Sequence, residues 1–159
     1  MEEVRDYPEE KTDSELTEAQ RTDINKITEL VKESYQSTVG KCHVRSISAD
    51  SKLTTYVVSV NMTGATALGL IVLSDEGKLS VYEDYAERVE GEENSVWRVD
   101  DEGEYHGSSA LFGLRDKAGR LSLMSADYGA EEVTLYILTA FGDKMKMADT
   151  QWNFHTAPE

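Results

Sequence analysis

The chain has 159 residues with 31 acidic and 16 basic side chains, a formal net charge of −15, one cysteine and three histidines. This length suits one domain that buries about 70% of its unfolded surface without staples; the lone Cys42 excludes an internal disulfide, and the scattered histidines make no zinc set at recognised spacing. The charge is unevenly placed: Met1 to Tyr35 has eleven acidic and five basic residues, Asp75 to Glu104 has twelve and three, and the remainder balances at eight of each.

Such fields repel phosphates and anionic lipid, so direct binding to nucleic acid or a membrane through these regions is not expected, whereas a basic protein partner is attracted. No stretch approaches the roughly 20 apolar residues of a membrane span, and the N-terminus is acidic where a secretion signal is basic and then apolar. A soluble protein is expected, cytoplasmic unless a signal peptide has been removed.

In chain order, residues 1–13 are polar and acidic, include Pro8, and read as a mobile tail preceding a single domain over residues 14–159. Thr17 with Gln20 three residues on matches a capping box. Ile24, Ile27, Leu30 or Val31, and Tyr35 then recur at helical spacing, opposite Asp23, Lys26, Glu29, Lys32 and Glu33. The pattern predicts an amphipathic helix of about five turns ending before Gly40, its apolar stripe laid on a sheet.

Strands are predicted at Cys42 to Ile47 and along the run Leu53 to Asp84, the densest β-branched and aliphatic stretch. Within it Tyr56, Val58, Val60 and Met62 share one face, Leu68 to Leu73 has no polar residue on either face, and Ser74-Asp75-Glu76-Gly77 marks a hairpin loop before Leu79 and Val81 resume the apolar side. Glu83 to Asn94 reads either as a short helix with Tyr85 and Val89 inward or as an acidic loop, and Val96 to Val99 as a strand. Ser109 to Leu114 pairs with Arg120 to Met124 through the Asp116 to Gly119 loop, and Glu132 to Ala140 with Lys144 to Phe154 through Gly142-Asp143. The expected core comprises Val58, Val60, Leu70, Val72, Leu79, Leu135 and Ile137. Seven or eight strands in succession make an α+β fold, an N-terminal helix followed by a mainly antiparallel meander that is strongly curved or barrel-like.

The segments Leu73–Tyr82 and Leu114–Met124 align with one inserted residue, their glycines 42 positions apart. Two hairpins with the same turn chemistry explain this, since a propeller needs at least four blades.

Chemical motifs are sparse. The carboxylates of Glu90 to Glu93 and Asp100 to Glu104 do not follow the ligand order of a calcium loop, and loop carboxylates alone do not establish a glycosidase pair. His106-Gly107-Ser108-Ser109 lacks a nucleophile elbow and an orienting third group. Cys42 and His43, adjacent on a strand, point to opposite faces, and Cys42 reads as a small packed hydrophobe. No phosphate-binding glycine loop occurs. Asn61-Met62-Thr63 fits the glycosylation triplet, of consequence only in a secreted eukaryotic protein.

No catalytic, cofactor or metal residue is therefore assigned. The leading expectation is a non-enzymatic protein-interaction module whose acidic surface, Glu87, Glu90, Glu92, Glu93, Asp100, Asp101, Glu102 and Glu104, engages a basic partner. A barrel or cup holding a small apolar ligand, with tyrosines or tryptophans as its lining, is the alternative. A third is a nucleic-acid mimic whose carboxylates imitate phosphates.

Overall fold

The computed structural model describes residues 15–47, 52–87, 109–128 and 132–155. The tail at 1–13, the strand expected at Val96 to Val99, the Asp100 to Glu104 turn and the His106 to Ser108 turn lie outside them.

Helix α1 runs Glu18–Tyr35. Its start is fixed by the capping box: the Gln20 amide donates to Thr17 Oγ1 at 3.2 Å, and the Thr17 amide donates to Gln20 Oε1 at 3.0 Å. Gln36, left-handed at φ 51°, ends it. Glu18 in the first turn and Lys32 in the last complement the helix dipole.

Eight strands follow: β1 (Val39–Ser46), β2 (Leu53–Val60), β3 (Thr66–Asp75), β4 (Lys78–Glu87), β5 (Ser109–Arg115), β6 (Leu121–Tyr128), β7 (Glu132–Phe141) and β8 (Lys144–His155). They form one sheet in the order β1-β2-β3-β4-β8-β7-β6-β5. The architecture is α+β, a helix followed by a curled, mostly antiparallel half-barrel.

One feature departs from a simple meander. Two four-stranded antiparallel meanders meet at their last strands, β4 and β8, which run parallel and pair at Val81 and Lys144. The joint is made by the β7–β8 turn, where the Val81 amide donates to the Asp143 carbonyl at 2.9 Å and the Ser80 hydroxyl to the Gly142 carbonyl at 2.7 Å. β5 thus lies at the far edge of the sheet. The curl brings it back to the first meander: Arg115 pairs with Asp75 at 3.1 Å, and a Cβ on Gly113 would stand 2.9 Å from Ile47 Cδ1, so glycine permits the approach.

The hairpin turns follow the glycines. Glu76 and Gly77, at φ 51° and 84°, close a two-residue loop of the kind that matches strand twist. Gly119, at φ 81°, closes the longer β5–β6 loop, where Asp116 accepts from the Ala118 and Arg120 amides. The two similar segments are therefore hairpins at different places in their meanders, the third-to-fourth in one and the first-to-second in the other.

Two cores result, and β3 contributes to both. On its outer face Leu68, Leu70 and Val72 join Tyr56, Val58, Val60 and Val44 beneath Ile27 and Val31 of α1, with Leu79, Val81 and Cys42 packed around them. On its inner face Ile71 and Leu73 meet Leu121, Leu123, Tyr136, Leu138 and Met145 across the curl. This is why Leu68 to Leu73 is apolar on both faces.

Three expectations are corrected. Leu135 and Ile137 are only partly buried; the inward side of β7 carries Tyr136 and Leu138 instead, because β7 is apolar on both faces and the curl selects the other one. Asp23 is buried, not on the solvent face of α1, since the Tyr56 hydroxyl reaches it at 3.0 Å. Glu83 to Glu87 continues β4, neither helix nor loop, and Tyr85 is exposed because it lies beyond the reach of the helix-covered core.

Candidate partner-docking surface

α1 is tied to the first meander at three points. Lys26 Nζ donates to the Gly77 carbonyl at 2.8 Å at the hairpin end, Tyr56 donates to Asp23 in the middle, and Tyr35 donates to the Glu83 carboxylate near the helix C-terminus. Glu83 accepts a second hydroxyl, that of Tyr85 at 3.3 Å. The distal end of β4 therefore presents Glu83, Tyr85 and Glu87 on one face, with the Tyr85 ring 51% exposed between two carboxylates. An exposed aromatic with a polar tip, flanked by charge, is the composition of a recognition surface.

Of the eight acidic residues expected to engage a partner, Glu87 is exposed at this strand end, opposite Thr66 of β3. Glu90, Glu92, Glu93, Asp100, Asp101, Glu102 and Glu104 lie outside the described residues. Sequence reasoning missed the roles of Glu83 and Tyr85. The signal was available in the alternation Glu83, Tyr85, Glu87, which places all three on one side once the segment is read as strand.

Burial and the Glu83 and Asp23 carboxylates raise the pKa of Tyr35 and of Tyr56 well above the usual phenol range, because ionisation would put a second anion beside a carboxylate. A raised folded-state pKa gives stability that is fully present below the unfolded value of about 10 and is lost as pH rises above it. Alkaline titration followed at 295 nm is thus expected to show Tyr35 and Tyr56 ionising only together with unfolding. Tyr56→Phe, which removes one such phenol and the hydroxyl donor to buried Asp23, is expected to lower stability near neutral pH while making it fall less steeply above a pH of about 10. Ionisation of all eight tyrosines while the circular dichroism stays native would contradict these contacts.

The interior has a polar end. Tyr82 and Tyr136 approach with ring centroids 6.4 Å apart, Asp84 lies two residues along from Tyr82 on the same side of β4, and Ser125, in register with Tyr136, is fully buried with no hydrogen-bond partner for its hydroxyl among the described residues. The signal for this cluster is again alternation, Ser80, Tyr82, Asp84 and Ala86 sharing the inner side of β4. The central side chains of both cores, Ile27, Val31, Tyr56, Leu70, Val72, Ile71, Leu123 and Leu138, are at most 1% exposed to a water-sized sphere. Among the described residues the helix–sheet interface is thus closely packed by its own side chains.

Burial pushes the Cys42 thiol up to about 11, away from nucleophilic character. His43 occupies the opposite face of β1, as the alternation requires. Asn61 Nδ2, the glycosylation atom of its triplet, donates to Thr38 Oγ1 at 2.9 Å. Among the described residues no group of three His, Cys, Asp or Glu is placed to hold a metal ion, and no helix is long and apolar enough to cross a membrane. Comparison with protein-family models, curated proteins and solved structures gave no match.

Proposed function

We propose that the chain is a non-enzymatic interaction module that docks a protein with a basic surface through the distal end of β4 and the acidic segment following it. The observation that carries the reading is the exposed Tyr85 between Glu83 and Glu87 on a strand that lies within the stretch Asp75 to Glu104, whose twelve acidic and three basic residues stand against a neutral remainder of the chain outside the N-terminal segment. An aromatic anchor ringed by carboxylates supplies apolar contact at its centre and charge steering at its rim.

Long-range attraction accelerates association at low salt and fades as the screening length falls from about 30 Å at 0.01 M to about 8 Å at 0.15 M. With a partner recovered from the native source, replacing Glu90, Glu92 and Glu93 together by glutamine is expected to slow association more than it speeds dissociation. The variant should keep its folding stability, because the change preserves size and polarity and relieves repulsion among like charges that follow one another in the chain. Equal association rates at the two ionic strengths, or a preference for the uncharged variant, would reduce the acidic region to a solubility feature.

A further inference from the structure

The outer face of the second meander is apolar and only partly covered: Ala126, two residues along from Met124 on this side, is fully buried and Met124, Leu135 and Ile137 are half-buried, while α1 lies over the first meander instead. Register places Phe112 and Leu114 of β5, Met124 of β6, Leu135 and Ile137 of β7 and Trp152 of β8 on this one side, Phe112 beside Met124, Met124 beside Ile137, and Leu135 beside Trp152. Phe112, Leu114 and Trp152 are 42%, 52% and 42% exposed. A contiguous patch of this composition on a soluble protein marks a docking site more often than a scatter of single apolar residues does.

The molecule shows how such a face is covered. In the first meander the corresponding outer face, with Val58, Leu70 and Val72, is covered by the amphipathic α1, whose ends are held by polar contacts at the sheet margins. Four strands span about 14 Å between the outermost axes, enough for one helix of about 10–12 Å diameter. The border of the second face is basic. Lys144 lies beside Phe141, Lys146 sits 5.8 Å over the Phe141 ring, and Lys117 is in the β5–β6 turn at the same end of the sheet. None of these three makes an ion pair among the described residues, in a chain of net charge −15.

We propose that this face binds an amphipathic helix of a partner protein, its apolar stripe on Phe112, Leu114, Met124, Ile137 and Trp152 and acidic residues on its flank toward the three lysines. The site is separate from the acidic surface at the end of β4, and neither reading depends on the other.

The test uses the full chain and a synthetic 18-residue helical peptide with leucine at i, i+3, i+4 and i+7 spacing and glutamate flanks, titrated by anisotropy and by tryptophan emission. Saturable binding is expected, weakened at least 10-fold by the double change Phe112→Ser and Leu114→Ser. Lys144→Glu with Lys146→Glu is expected to weaken the same peptide and to favour a lysine-flanked version of it, a reversal that loss of folding cannot produce. Circular dichroism of each variant checks the fold. No saturable binding, equal binding of both peptides to the unaltered protein, or a dimer that the serine changes dissociate would overturn the proposal, the last by showing that a second copy of this chain is the occupant.

Discussion

Replacing Leu70 by alanine is expected to lower the unfolding free energy by roughly 2 to 5 kcal/mol, measured by urea titration with the slope unchanged. Leu70 is fully buried, lies between Val58 of β2 and Glu83 of β4 in register, and packs among the side chains beneath Ile27 and Val31. Removing its isobutyl group leaves a void that neither the helix, tied at three points, nor the flanking strands can close. A loss under about 0.5 kcal/mol, the range of surface substitutions, would mean that α1 does not lie on this face.

The second large effect separates two neighbours on β7. Leu138→Ala is expected to destabilise by roughly 2 to 5 kcal/mol, because Leu138 is fully enclosed between Leu123, Met145 and the inner side of β3. Ile137→Ala, on the half-covered outer face, is expected to cost about 1 kcal/mol, near the centre of the distribution for single substitutions. The order of the two effects reports which way β7 faces. If Ile137→Ala were the more damaging, the inner and outer sides of the second meander would be reversed, and the docking face inferred for an amphipathic helix would be its core.

What the sequence made legible were features whose causes are local. The capping box at Thr17 and Gln20 places the start of α1 because both reciprocal bonds involve residues three apart. The loops at Gly77, Gly119 and Gly142 are legible because each needs a residue at positive φ. Curvature followed from the number of strands joined by short loops. The strand order was not legible, since β4 meets β8 at a single parallel pair 63 residues apart in the chain, Val81 with Lys144, and no local pattern encodes it.

The facing of β7 failed for a related reason. Val133, Leu135 and Ile137 alternate with Thr134, Tyr136 and Leu138, and when both sides are apolar the period of two places residues on a common side without saying which side is inward. An apolar outer face is itself the informative outcome, because it is the surface a partner would need. Asp23 was misplaced by helical periodicity because its burial depends on a hydroxyl from Tyr56, 33 residues away. At the candidate surface the charge excess was legible as composition, whereas the Tyr35–Glu83–Tyr85 contacts that shape it are long-range.

The most direct test of the account is a hydrogen-exchange footprint of the protein with the basic partner recovered from its native source. The account predicts slowed exchange at the amides of Glu83 to Glu87 and through the acidic segment that follows, at low salt, with the amides of β3 as slow in the free protein as in the complex. Unchanged exchange in that region, together with protection confined to α1 and the strands beneath it, would contradict docking through the acidic surface and point to a molecule taken up between helix and sheet.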